Sequence, residues 1–163
     1  MDVDRLIKSI VKIPKDGSDP CIVDEELLRR MASVIDDTSM DFALKRLFKA
    51  LQATSGITRM RAIHAIDKLF RGSAKARTSI VNDIRSVINS TCVIPNNVST
   101  VAKPATSNHD KYTQTTLAYI DIWDEKYGKS HSSLRSMTRY LRDTLRIPMP
   151  NRRVSFSICE IIL

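Results

Sequence analysis

The chain has 163 residues, with 26 Lys/Arg against 18 Asp/Glu and a formal charge of +8. That is long enough to bury one sizeable core and basic enough to attract acidic protein, phosphate or nucleic acid. Aromatics are 6% and glycines number four, which favours helices, while Cys21, Cys92 and Cys159 stand far apart with no CxxC pair, which argues against a zinc ribbon or a disulfide framework.

The N-terminus, Met1-Asp2-Val3-Asp4, is acidic, and Lys8 and Lys12 interrupt the apolar positions that follow, so no signal peptide is expected there. Seven helical segments follow the 3.6-residue period. The first carries Val3, Leu6, Ile7, Ile10 and Val11 and stops before Pro14. Asp24 opens the second, with Glu25 and Glu26 in its first turn and Leu27, Leu28, Met31, Val34 and Ile35 on its inner face, an arrangement suited to a helix N-terminus. The third follows Thr38 or Ser39 as N-cap and presents Phe42, Leu44, Leu47, Phe48 and Leu51. Gly56 breaks the chain, the fourth runs from Thr58 through Met60, Ile63, Ile66, Leu69 and Phe70, and Gly72-Ser73 separates it from a fifth with Ile80, Ile84, Val87 and Ile88.

Residues 91–109 hold two prolines and little periodicity and read as a long loop. The sixth segment places Tyr112, Tyr119, Ile120, Trp123 and Tyr127 on one face, with Trp123 in the core, and Gly128 is expected to end it in the left-handed region. The seventh, from about Ser132 to Leu145, carries Leu134, Met137, Leu141 and Leu145 before Ile147-Pro148. No strand-like alternation occurs before residue 150. The pattern predicts an all-α domain over residues 1–147, of stacked antiparallel helices, and a disordered tail over 148–163. Arg152-Arg153-Val154-Ser155 in that tail fits a basophilic kinase site.

No nucleophile with a base, metal cluster, paired acid and base or phosphate-cradling glycine loop stands out, so neither catalysis nor a cofactor is expected. His64, between Ile63 and Ile66, reads as a core histidine. The basic residues are more informative. Arg135, Arg139, Arg142 and Arg146 fall at i, i+4, i+7 and i+11, a cationic stripe beside the apolar one, with only Asp143 to offset it locally. Lys68, Arg71, Lys75 and Arg77 cluster about the turn between the fourth and fifth segments. These eight are the candidate partner-binding residues. Aromatic platforms for single strands are missing from both groups.

The stretch RMRAIHAIDKLFRGSAKAR, Arg59 to Arg77, followed about fifty residues later by WDEKYG, Trp123 to Gly128, resembles the N-terminal VHS/ENTH-like domain of the UV-stimulated scaffold protein A family. The matching positions are Arg59, Leu69, Phe70, Ser73, Arg77, Trp123, Glu125, Lys126, the aromatic Tyr127 and Gly128. The resemblance covers roughly residues 1–147 and implies a right-handed superhelix of about seven helices. It also implies a monomeric, nuclear, chromosome-associated scaffold without turnover of its own, acting in transcription-coupled nucleotide excision repair. The partners it implies are lesion-stalled RNA polymerase II, Cockayne syndrome factors and ubiquitinated polymerase, with no membrane contact. Longer members carry TFIIH-binding and Cys-rich regions beyond this domain, so the expectation is a short isoform, a truncated form or a divergent member. The second segment has no tryptophan, so ubiquitin is not expected to bind through that face. The rival readings are a cytoplasmic VHS or ENTH adaptor for ubiquitinated or lipid-bound cargo, a polymerase-tail-binding domain of similar architecture, and a direct nucleic-acid binder.

Overall fold

The computed structural model describes residues 2–91 and 107–150, with side chains from Lys111 onward in the second stretch. Among the described residues the chain is all-α: α1 (Val3–Val11), α2 (Glu25–Val34), α3 (Met40–Leu51), α4 (Gly56–Gly72), α5 (Ala74–Asn82), α6 (Ile84–Asn89), α7 (Ser107–Tyr127) and α8 (Ser132–Arg139), which runs on into a π-helical turn, Tyr140–Thr144. This agrees with the all-α, VHS-like expectation. Of the expected tail, Pro148 to Pro150 are described and Met149 packs partly buried against the core; residues 151–163 with the kinase pattern, Cys92, Cys159 and most of the expected long loop lie outside the described residues.

Local signals set most of the boundaries. Asp2 and Asp24 cap α1 and α2, each accepting a backbone N–H two residues on, and so satisfy donors that no helical carbonyl can reach. Three expectations shift. α4 begins at Gly56 rather than Thr58, because Ser55 caps it by accepting from the Thr58 N–H. The expected fifth helix is two, α5 and α6, parted at Asp83, whose φ of −113° and ψ of 23° leave the helical region. Ser39 holds the N-cap position of α3 without capping it. Its hydroxyl turns back to the Asp36 carboxylate at 2.7 Å. Asp36 also accepts from the Ser39 and Thr38 N–H groups, and these bonds hold its carboxyl far below the usual range.

Two residues expected inside face water. Val34 and Phe42 are exposed, and the Arg46 guanidinium lies 5.2 Å from the Phe42 ring centre, covering part of it.

The core is built around α4, which packs against α1, α2, α3, α5 and α7. A helix surrounded on all sides should be apolar all round, yet α4 buries Arg59, Arg61, His64 and Asp67 beside Met60, Ile63, Ile66, Leu69 and Phe70. Each of these four side chains meets a partner, as burial demands, although Arg59 Nη2 itself makes no hydrogen bond among the described residues. Arg59 donates to the carbonyls of Ala53 and Ser90. Arg61 donates to those of Ile10, Pro20 and Ile22, which fastens the end of α1 and the following loop to the centre of the domain. His64 Nδ1 lies 2.6 Å from the Tyr119 hydroxyl.

Candidate functional site

The two motifs that are far apart in sequence meet in space. Trp123 of α7 is fully buried, and its indole N–H donates to Asp67 Oδ1 at 2.8 Å. Phe70 stacks on the indole with centroids 4.2 Å apart at 13°, and Tyr127 meets Phe70 edge-on at 5.5 Å. Ser73 joins α4 to α5: its N–H closes on the Leu69 carbonyl and its Oγ accepts from the Ala76 N–H. Arg77 donates to the Phe70 and Arg71 carbonyls at the end of α4 while its guanidinium lies 4.7 Å from the Tyr127 centroid, so one side chain caps a helix and stacks on an aromatic ring.

Gly128 works differently from the expectation. It does not adopt a positive φ. A Cβ there would fall onto Asp124 Oδ1, 2.5 Å from the Asp124 carbonyl oxygen and 2.7 Å from Arg135 Nη2. Glycine is needed because the Asp124 carbonyl and the Asp124–Arg135 ion pair together occupy the space of a side chain, not because the chain turns left-handed.

Six of the eight candidate basic residues have partners within the chain. Lys68 pairs with Glu25 of α2 and Arg71 with Asp67. Lys75 lies 3.6 Å from Asp41 of α3 and donates to the Asp37 carbonyl, and Arg77 is held as described. Arg135 Nε donates to Asp124 at 2.6 Å and Arg142 Nη2 to Asp121 at the same distance. The local offset to the arginine stripe is thus larger than Asp143 alone. Both carboxylates, from α7, are buried while their partners remain partly in water. The side chains of Arg139 and Arg146 have no hydrogen bond or ion pair among the described residues.

The stripe is also not a single helical row. After Arg139 the backbone widens: the Leu145 N–H reaches back five residues to the Tyr140 carbonyl and the Ile147 N–H six, to Leu141, both at 3.0 Å. Arg146 then takes a φ of 50° and ends the segment, beyond the helix rather than on it. The two basic groups do adjoin, because the Arg77 and Lys126 cations share the Tyr127 ring one residue from Gly128, over which Asp124 meets Arg135.

Burial and the nearby Arg61 and Arg71 charges hold the His64 pKa at about 4. Burial also pushes the Asp67 carboxyl up, against the pull of Arg71 and the indole N–H. Sequence reasoning missed Asp67, Asp121 and Asp124 as anchors. The signal available was a pair of acids three apart on the Trp123 helix, preceding a helix with arginines seven apart. Nothing in the sequence marked the π-turn.

These residues match a known family. The UVSSA N-terminal domain matches this chain over residues 3–145. The UV-stimulated scaffold protein A homolog of Arabidopsis thaliana is 22% identical over 131 residues, which cover 79% of this chain and 19% of that protein. The chain therefore spans about a fifth of the length of that relative. The match takes in all of α1 to α8, the joint between Phe70 and Trp123 and the basic residues up to Arg142, and by it the chain belongs to the UVSSA N-terminal domain family.

Proposed function

We propose that the chain is a non-enzymatic scaffold module of transcription-coupled nucleotide excision repair, working in the nucleus on chromosomes. It joins lesion-stalled RNA polymerase II and Cockayne syndrome factors through protein contacts, as a monomer and without a cofactor. Family membership over residues 3–145 is the observation that carries this reading. The physical form supports it: a core tied together by α4 makes a rigid block, and the basic residues of the α4–α5 turn and of α8 lie along its rim, where charge steers association.

Of the eight candidates, Lys68, Arg71, Lys75, Arg77, Arg135 and Arg142 offer a partner only what their internal bonds leave over. Arg139 and Arg146 offer their whole charge. Chromatin proteomics of the tagged chain before and after UV damage tests the reading. Enrichment of polymerase subunits and Cockayne factors after UV supports it, whereas endosomal adaptors in their place would move the chain to membrane-cargo sorting.

A further inference from the structure

We propose that the π-helical turn after α8 is the surface on which an acidic segment of a partner protein docks, contacted by Arg139, Tyr140 and Arg146. The inference rests on the scaffold reading and narrows its partner surface from eight residues to one turn and its ends.

Three observations converge there. First, Arg135 and Arg142 already commit part of their charge to the buried Asp124 and Asp121, and drawing either guanidinium away to a partner would abandon a buried carboxylate, a costly loss. Arg139 and Arg146 are exposed and give up no side-chain hydrogen bond or ion pair among the described residues. Second, Tyr140, the residue after Arg139 in the chain, is 40% exposed. A rigid aromatic with an adjoining arginine is the pairing that concentrates binding energy at protein interfaces. Third, two uncommon backbone states fall within seven residues. The turn is π-helical, and Arg146 occupies the left-handed region that glycine enters more cheaply. A cation kept where glycine would be more stable points to a use for the cation.

The chemistry favours carboxylates on a protein over a nucleic-acid backbone. A duplex carries closely spaced phosphates and would run past the exposed Asp143 as well as the arginines. A protein segment need place carboxylates only at Arg139 and Arg146, where each guanidinium can grip one through two parallel bonds, and can leave Asp143 to solvent.

The test uses the full chain and four variants: Arg139→Glu with Arg146→Glu, Tyr140→Ala, Arg146→Gly, and Lys45→Glu with Lys49→Glu as an equal charge change on the remote α3. Amide shifts are followed by NMR during titration with dodeca-glutamate and, separately, with a 12-base-pair duplex. The expected shifts on adding the peptide concentrate over residues 139–147, with affinity falling at least tenfold in the double arginine variant and less than threefold in the lysine variant. Equal losses in both variants, shifts centred elsewhere, or tighter binding of the duplex at this turn would overturn the proposal.

Two arms separate surface from stability and from the broader reading. Arg146→Gly raises the melting temperature while weakening peptide binding, a pair of opposite signs that a purely structural Arg146 would not give. In UV-treated cells Tyr140→Ala and the double arginine variant lose polymerase recovery. Recovery equal to wild type would place the surface elsewhere and leave the scaffold reading standing. No recovery by the wild type would remove the scaffold reading, with the peptide titration still deciding the turn.

Discussion

Arg59 and Arg61 of α4 lie 0% and 5% exposed and end on main-chain carbonyls from other segments, whereas Arg139, at the end of α8, and Arg146, beyond it, are exposed and meet no partner among the described residues. Between these extremes stand Arg135 and Arg142, each with one end on a buried carboxylate of α7 and the rest exposed. The same residue type thus serves as core strut, as clamp and as free charge within one fold. What separates the roles is what each side chain's neighbours leave unsatisfied: carbonyls at helix ends draw in Arg59 and Arg61, Asp121 and Asp124 hold the clamps, and nothing among the described residues claims the last two. Net charge alone cannot assign a binding surface in such a molecule.

The core side of this contrast breaks most sharply at the joint. Trp123→Ala removes the ring stacked on Phe70 and the donor to Asp67 and should cost ~3–5 kcal/mol, read by urea denaturation. An unaltered midpoint would show that the joint does not hold α7 to α4. The next effect is one of pH. His64 stays neutral in the fold, with its pKa at about 4 against an ordinary 6.5, so the unfolded chain takes up the proton first as pH falls. Its contribution is complete above pH 6.5 and is lost progressively toward pH 4, in total about 3 kcal/mol at about 1.4 kcal/mol per unit. Asp67 acts the other way: its folded pKa is raised above 3.8, so its share is complete below that value and declines as pH rises through the folded one. Comparing stability against pH for wild type and His64→Gln isolates the histidine. Parallel curves from pH 7 to pH 4 would exclude it.

These core features were readable to different depths. Period and caps placed α1, α2 and the Trp123 face because each depends on residues within a few positions of one another. The break at Asp83, the exposed Phe42 and the role of Gly128 depend on neighbours from other helices, and a linear pattern does not contain them. The burial of Arg59 and Arg61 was not legible, because their partners are carbonyls, which every residue carries and no sequence singles out. The arginine spacing of α8 was legible, but its division into clamps and free cations was not, since the dividing acids sit in α7.

Gly128→Ala sharpens the middle case. Its Cβ would displace the Asp124–Arg135 pair, for an expected cost of about 1–3 kcal/mol. In an Asp124→Ala, Arg135→Ala background the obstruction shrinks to the Asp124 backbone, and the same substitution should cost less. The difference, taken as a double-mutant cycle, measures the glycine's coupling to the ion pair. A coupling of zero would mean that the backbone alone requires glycine.

The smallest effect is the most discriminating. Simultaneous reversal of Arg135, Arg139 and Arg142 would confuse two kinds of arginine, because a glutamate at 135 or 142 faces the buried Asp124 or Asp121 and must lose stability as well as charge. Arg139→Glu faces nothing among the described residues, so thermal unfolding should move by no more than about 0.5 kcal/mol, whereas Arg135→Glu should move it by more. If the two shifts are equal, the Asp124 clamp contributes nothing and the division of the stripe fails. If they differ as expected, loss of recruitment in Arg139→Glu reports on the partner surface alone, because the fold that presents it is intact.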